Sequence, residues 1–387
     1  MISHGGLFVS KRELIAIEVI EKFRRGELSR KEAALKLKKS ERTVTRKAEA
    51  VRKKGIEGIC HGNRGRAPQN KKNDTVRQLY VDLYQTRYAN FNFKHALEMI
   101  ALHEELKDKV AYSTFAIWCR TAGLGKIRRR RSNKARIARE RMANEGLLVQ
   151  MDGSPHLWNG KDEWCLINII DDATSKVLGA KFVLSETTFD CMSVMKGVIQ
   201  TYGTPEFALT DRAGWSKRAG KRAHFSQFER ACNELGITII STSVPETKGR
   251  VERSFRTSQD RLIAEMELYG IKTLADANRY LEQVYLPDWN QRFTVHAREH
   301  VTRFKQVPPH INLDDVFCLK EDRIVNRDHT VHHDGQRYKL SKPPLRLWKK
   351  AVAVHKYQDG SIKIFYGATE LTSNLIIMPK RVWQKSA

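Results

Sequence analysis

The segment "LLVQMDGSPHLWNGKDEWCLINIIDDATSKVLGAKFVLS", residues 147–185, decides the fold. Its first part alternates, which sets Leu148, Gln150 and Asp152 on one face of a strand and Leu147, Val149 and Met151 on the other. "WCLINIIDDA" and "KVLGAKFVLS" are continuous apolar runs of the kind that fill a sheet buried on both faces. Three strands in succession predict a meander. Beyond it, "TTFDCMSVMKGVIQTYG" reads as a helix stopped by Gly203 and Pro205, and "EFALTD" as a short strand ending at Asp211. "FSQFERACNELG" is a helix, "ITIIST" a strand, and a further helix opens after Pro245. The order βββαβαβα predicts an α/β domain whose mixed sheet joins an antiparallel meander to parallel strands.

Toward the N-terminus the periodicity is helical. Leu14, Ile17, Val19, Ile20 and Phe23 line a first helix that Gly26 ends. Ser29, with Glu32 in the capping-box position, opens a second, and Ser40 opens a third. Two short helices and a tight turn predict a helix-turn-helix within residues 1–60. Arg42, Thr43, Thr45, Arg46 and Lys47 on its third helix suit a DNA major groove. Residues 61–74 form a basic linker with Arg64 and Arg66 placed to track phosphates. A second helical, helix-turn-helix-like block occupies 75–125, its last helix starting with Ser113 as the cap. A basic linker, 126–145, carries Arg128, Arg129, Arg130 and Arg131. The α/β core is placed at 146–300.

From 301 to 387 the pattern returns to β. "RIVNRDHTVHHDGQRYKL" and "AVAVHKYQDGSIKIFYG" each hold an Asp-Gly turn between alternating segments, and a small barrel closes such hairpins economically. His329, His332 and His333 invite a metal reading, but alternation puts the last two on opposite faces.

Charge bounds the function. The 387 residues carry a formal net charge of +26, from 70 Lys and Arg against 44 Asp and Glu. Residues 1–150 hold 35 basic and 16 acidic residues, net +19, leaving +7 for the rest. A polyanion is the expected partner, gripped mainly by the N-terminal part. The six cysteines form no CxxC pair, so neither a disulfide framework nor a structural zinc site is expected. No stretch approaches the roughly 18 apolar residues of a membrane span and no signal peptide opens the chain, so a cytoplasmic location is expected.

In open α/β sheets ligands collect beyond the carboxyl ends of the strands. Asp211 ends its strand there, Asp152 lies on the first strand, and Glu252 begins a helix whose apolar stripe is Val251, Phe255, Leu262 and Met266. Three carboxylates gathered at one point repel one another unless a cation intervenes, and hard ions such as Mg²⁺ take oxygen ligands. Two such ions can activate a water or a 3′-hydroxyl and stabilise the leaving oxygen at a phosphodiester. Asp171 and Asp172 also end a strand and stand as alternative ligands.

"QMDGSPHLW", "INIIDDATSKVLGAKFVLSETTF", "LTDRAG" and "PETKGRVERSFRTSQDRL", in that order, resemble the DDE transposases of bacterial insertion sequences, specifically the ISNCY-like group of the retroviral integrase superfamily. The resemblance covers nearly the whole chain. It implies an RNase H-like catalytic core with a mixed five-stranded sheet, Asp152, Asp211 and Glu252 as catalytic acids and metal ligands, and two Mg²⁺ ions per site, with Mn²⁺ as substitute. It implies a transposase that binds terminal inverted repeats of double-stranded DNA, cleaves at the ends, and joins 3′-hydroxyl ends to target DNA. Lys248, in a Lys-Gly-x-x-Glu turn, would contact a phosphate, as would Arg250, Arg253 and Arg256. An SH3-like C-terminal barrel, a homo-oligomer on DNA and a nucleoid-associated location also follow from the resemblance. Ala213, Gly214 and Trp215 after Asp211, and Glu246 before Lys248, depart from the family pattern. A catalytically weak or domesticated DNA-binding regulator is the alternative reading. An RNA-directed RNase H nuclease is disfavoured, because such an enzyme needs no tandem sequence-reading helices.

Overall fold

The computed structural model describes residues 2–4, 7–60, 69, 71–125, 139–210, 226–241, 245–341 and 347–376, the side chains of 2–9, 11, 245 and 246 excepted. The chain divides into two compact units, Met1–Gln78 and Leu79–Ala387. The first opens with β1 (Ile2–His4) and β2 (Leu7–Val9), an antiparallel pair that helical periodicity gave no sign of. Three helices follow: α1 (Lys11–Arg24), α2 (Arg30–Leu37) and α3 (Glu41–Lys54). Ser10 and Ser29 each close a full capping box with the Glu three residues on, and Ser40 accepts the Thr43 N–H. Gly26, at φ +76°, turns the chain out of α1. The apolar stripes of the helices meet in one core of Ile17, Ile20, Ala33, Val44, Val51 and Ile59.

Helix α4 (Asp74–Thr86) leads into the second unit, where α5 (Phe93–His103) and α6 (Tyr112–Thr121) follow. Helix α6 starts earlier than Ser113: Ala111 holds the cap position and no side chain caps it, so Ser113 lies inside the first turn. The strands β3 (Leu148–His156), β4 (Trp164–Asp171) and β5 (Val177–Val183) form the meander. Helix α7 (Thr188–Tyr202) leads to β6 (Phe207–Thr210), and α8 (Gln227–Glu234) to β7 (Thr238–Ser241). The sheet order is β5-β4-β3-β6-β7, antiparallel across the meander and parallel from β3 to β7. The expected mixed five-stranded sheet is therefore present, with β3 at its centre.

Both faces of this sheet are covered, which is why β4 is buried along its whole length. On one face Val149, Met151, Ile167 and Ile169 pack against Met192, Met195 and Val198 of α7 and Phe228 of α8. On the other, Leu166, Ile170 and Phe182 meet Val251, Phe255, Leu262 and Met266 of α9 (Gly249–Leu268). The spacing-derived stripe is the buried face of that helix.

Beyond α9 the chain forms α10 (Leu274–Tyr280), a wide π turn at Leu281–Tyr285, and α11 (Leu286–Phe293). Pro287 lacks an N–H and its ring would clash with a regular helical carbonyl, so the wide turn before it accommodates the proline. This arm seals the edge strand β5. Asn278 accepts from the Phe182 N–H at 2.8 Å and donates to the Phe182 carbonyl at 2.9 Å, and Asn290 does the same to Val177 at 2.8 and 2.9 Å. The two asparagines, about 18 Å apart along a helix, match the roughly 17 Å that five strand residues span. They stand in for a sixth strand.

The C-terminal strands are β8 (Leu319–Ile324), β9 (Thr330–His333), β10 (Gln336–Leu340), β11 (Ala351–Lys356), β12 (Ile362–Tyr366), β13 (Thr369–Leu371) and β14 (Ser373–Ile376). They form antiparallel sheets ordered β14-β10-β9 and β13-β12-β11-β8. Val331, Leu340, Val352, Val354 and Ile364 from both sheets share one core. Both Asp-Gly turns appear where expected: Asp334 and Gly335 sit at φ +48° and +74°, the pair a type I′ hairpin requires. His332 is exposed and His333 buried, as alternation requires.

Two outcomes test this account. Asn278→Leu leaves the Phe182 N–H and carbonyl without partners and should lower unfolding free energy by roughly 1–3 kcal/mol in urea titrations; an unchanged midpoint would remove the edge-sealing role. On β11, burial first and then the Lys320 charge depress the His355 imidazole from 6.5 to about 4. The unfolded chain therefore binds a proton that the folded one does not, so stability falls as pH drops from about 6.5 toward 4. The melting temperature of His355→Phe should depend less on pH across that window.

Candidate active site

Alternation on β3 puts Gln150 and Asp152 on the face that α9 covers, and a polar seam joins the two elements there. The Gln150 Oε1 accepts the Val251 N–H at 3.1 Å, so a strand side chain satisfies one of the open donors in the first turn of α9. Asn168, paired in register with Asp152, donates to Ser254 Oγ at 2.9 Å, and Ser254 in turn donates to the Val251 carbonyl at 2.6 Å. Gln259 donates to Ser154 Oγ at 3.2 Å. The start of α9 is thereby held against the strand that bears Asp152.

Lys248, the N-cap residue of α9, is 8% exposed, and its Nζ lies 3.1 Å from Asp152 Oδ1. Glu252 follows four residues later, on the same side of the helix, and its side chain is exposed. Among the described residues no hydrogen bond or ion pair engages the Glu252 carboxylate. Asp211 lies outside the described residues, as does the Glu246 side chain. The strand β6 ends at Thr210, and its parallel register with β3 runs from Leu148↔Phe207 to Gln150↔Leu209. Among the described residues no three His, Cys, Asp or Glu side chains group as a metal site.

The alternative ligands Asp171 and Asp172 are both fully buried and committed inward. Asp171 accepts from the Gly146 N–H at 2.9 Å and from the Thr174 N–H and hydroxyl at 2.8 and 2.7 Å. Burial raises its carboxyl above the usual range while those hydrogen bonds pull it down. Asp172 accepts from Gln150, Arg250, Arg139 and the Met142 N–H. Both carboxylates are thus engaged by donors of the protein interior.

Of the cations named from sequence, Arg253 and Arg256 are exposed on α9. Arg250 instead turns inward, donating to Asp172 at 2.9 Å and to the Arg139 carbonyl at 3.2 Å. Burial lowers its guanidinium from the ordinary value, with Asp172 opposing. On α3, Arg42, Thr45 and Arg46 are exposed, Thr43 shares a hydroxyl contact with Ser40 at 2.9 Å, and Lys47 donates to the Ile59 carbonyl at 2.9 Å. Arg64, Arg66 and Arg128 to Arg131 lie outside the described residues.

Sequence reasoning passed over Gln150 and Glu186. Gln150 had a signal, a polar residue two before Asp152 on a face otherwise destined for burial. Glu186 precedes the cap of α7 and sits so close to the strand that a Cβ added at Gly153 would lie 2.8 Å from its Oε2. Burial, followed by the Glu186 charge, pushes the neighbouring Cys165 thiol up to about 12, so it stays protonated and no nucleophile arises there. All six cysteines are free, five of them buried.

The mixed five-stranded sheet thus carries one acid on its central strand and a second at the start of the helix packed over it. The sequence is 32% identical over 98% of its length, and 84% of the relative's, to "Putative transposase y4bF" of Sinorhizobium fredii. It is 28% identical over 90% of its length, and 82% of the relative's, to "Transposase for insertion sequence IS1202" of Streptococcus pneumoniae. The chain belongs to the insertion-sequence transposases. No protein-family model matches it. The catalytic core of HTLV-2 integrase, solved with magnesium, superposes only loosely, at 20% identity and a TM-score of 0.28 over 36% of this chain and 89% of that one.

The seam is testable by itself. Among the described residues Asn168 Oδ1 has no hydrogen-bond partner, so Ser254→Ala leaves the buried amide without its one bond there and should cost roughly 1–3 kcal/mol. Adding Asn168→Leu should restore most of that loss, because both polar partners are then gone. Additive losses in urea titrations would refute the pairing.

Proposed function

We propose that the chain cleaves at transposon ends and joins the freed 3′-hydroxyl to target DNA by divalent-metal-dependent strand transfer. Asp152, Asp211 and Glu252 are its acids. The observation that carries this reading is the Asp152–Lys248 contact at 3.1 Å, which brings the first turn of α9, and Glu252 on the same side of it, to the central strand. Strand β6, whose last residue Thr210 immediately precedes Asp211 in the sequence, pairs in parallel with β3 up to Gln150, two residues before Asp152, which supports the third acid. The strand order supports an RNase H-like core of the integrase superfamily, ISNCY-like in its motifs.

The donor set fits Mg²⁺, with Mn²⁺ as substitute and two ions per site: carboxylate oxygens are hard ligands, and Asp152 already has a cation, the Lys248 ammonium, at its edge. Asp152, Asp211 and Glu252 would hold the metal, which would supply Lewis-acid polarisation of the phosphodiester and activation of the attacking water or 3′-hydroxyl. Lys248 neutralises the carboxylate until DNA arrives and then contacts a phosphate. Arg253 and Arg256, exposed on α9, meet the DNA backbone beside the cut. The three helices of the first unit act as a helix-turn-helix, with Arg42, Thr43, Thr45, Arg46 and Lys47 toward the terminal repeat and Arg64, Arg66 and Arg128 to Arg131 along phosphates. The C-terminal strands act as an SH3-like DNA-binding barrel. The protein works as a homo-oligomer on paired ends, at the nucleoid.

Asp152→Asn and Glu252→Gln should each abolish nicking and joining of a terminal-repeat oligonucleotide in Mg²⁺, while its binding in gel shifts stays within about twofold. Equal loss of binding, or nicking retained, would reject the assignment. A wild-type chain that binds ends and never nicks them would be a DNA-binding regulator instead.

A further inference from the structure

Asp172 gathers donors from three stretches of chain. Gln150 Nε2 on β3 reaches Oδ1 at 2.6 Å, and Arg250 Nη1 on α9 reaches the same oxygen at 2.9 Å. Arg139 donates to Oδ1, and the Met142 N–H donates to Oδ2 at 2.9 Å, both from the last residues of the basic linker. Arg141 adds bonds to the Ala173 carbonyl at 3.0 Å and Ser175 Oγ at 2.8 Å. Asp172 is 0% exposed, so none of this serves solvent or DNA directly.

The consequence runs through one amide. A carboxylate only accepts hydrogen bonds, so Asp172 draws the NH₂ end of Gln150 toward itself. That leaves the Gln150 carbonyl facing the other way, where it accepts the Val251 N–H beside Glu252. Reversing the amide would set an NH₂ group against that N–H and release the first turn of α9. Arg250, in the same turn, is held by the same oxygen of Asp172.

We propose that Asp172 is a positioning residue of the strand-transfer site, acting through Gln150 and Arg250 to fix the first turn of α9 and with it Glu252 and Lys248. It ties the end of the basic linker to the same point. This rests on the strand-transfer reading above. Outer partners that orient metal ligands typically change metal affinity or activity by about 10- to 100-fold.

The test titrates Mn²⁺ alone into the full chain, without DNA, by electron paramagnetic resonance, alongside strand-transfer kinetics well below each variant's melting temperature. Asp172→Asn keeps the side-chain size and removes the charge. Mn²⁺ binding should weaken, and kcat should fall, each about tenfold or more, with KM for DNA unchanged. Gln150→Met leaves the Asp172–arginine pairs in place and should give the same pattern, which carries the test if Asp172→Asn does not fold. A folded variant of either kind with wild-type Mn²⁺ affinity and kcat would overturn the positioning role while the strand-transfer reading stands. A wild-type chain that neither binds Mn²⁺ nor transfers strands would overturn both.

Discussion

The Gln150 side chain is the joint on which the rest of this site depends. A fully buried amide has four hydrogen-bonding positions to satisfy, and leaving any of them dry costs more than a single bond returns. Here one end meets Asp172 and the other meets the backbone of α9, so strand and helix cannot slide past one another without breaking both. The helix brings its apolar stripe onto the sheet by hydrophobic burial, which is non-directional. The polar seam of Gln150, Asn168–Ser254 and Ser154–Gln259 supplies the register that burial alone lacks.

Charge is sorted by depth around this joint. Arg250 and Arg139 are spent on Asp172 in the interior, where a buried carboxylate requires a partner. Arg253 and Arg256 remain at the surface. The far half of α9 is fixed the same way: Arg261 pairs with Glu98 of α5 at 2.6 Å, and Asn92 donates to Asp260 at 2.7 Å. His95, with no exposure, lies 2.7 Å from Glu265, which also accepts from Tyr280 at 2.8 Å. Helix α5 thus braces the helix that carries Glu252.

Much of this was legible in the residues. The period-2 segment around Asp152, the apolar runs of β4 and β5, the stripe of α9 and the Asp-Gly hairpins were all read from spacing, because each is a local pattern with one buried face. The short hairpin at the N-terminus and the start of α6 were misjudged, since three-residue strands and an uncapped helix carry almost no local signal. Asp171 and Asp172 stood as alternative ligands in the sequence because they also end a strand. Their burial and inward commitments exclude that, and no local pattern could have shown it.

The sequence by itself determined the element order, the sheet's mixed character and the placement of Asp152 and Glu252 on elements that must pack together, because periodicity and capping act over a few residues. Only the tertiary structure decided which charges are structural and which face outward. Arg250 and Arg253 sit three apart in one basic run, yet one is consumed by Asp172, 78 residues away in the chain, and the other is exposed. Such pairings depend on which buried carboxylate the folded sheet brings within reach, a relation between distant segments that no spacing rule encodes.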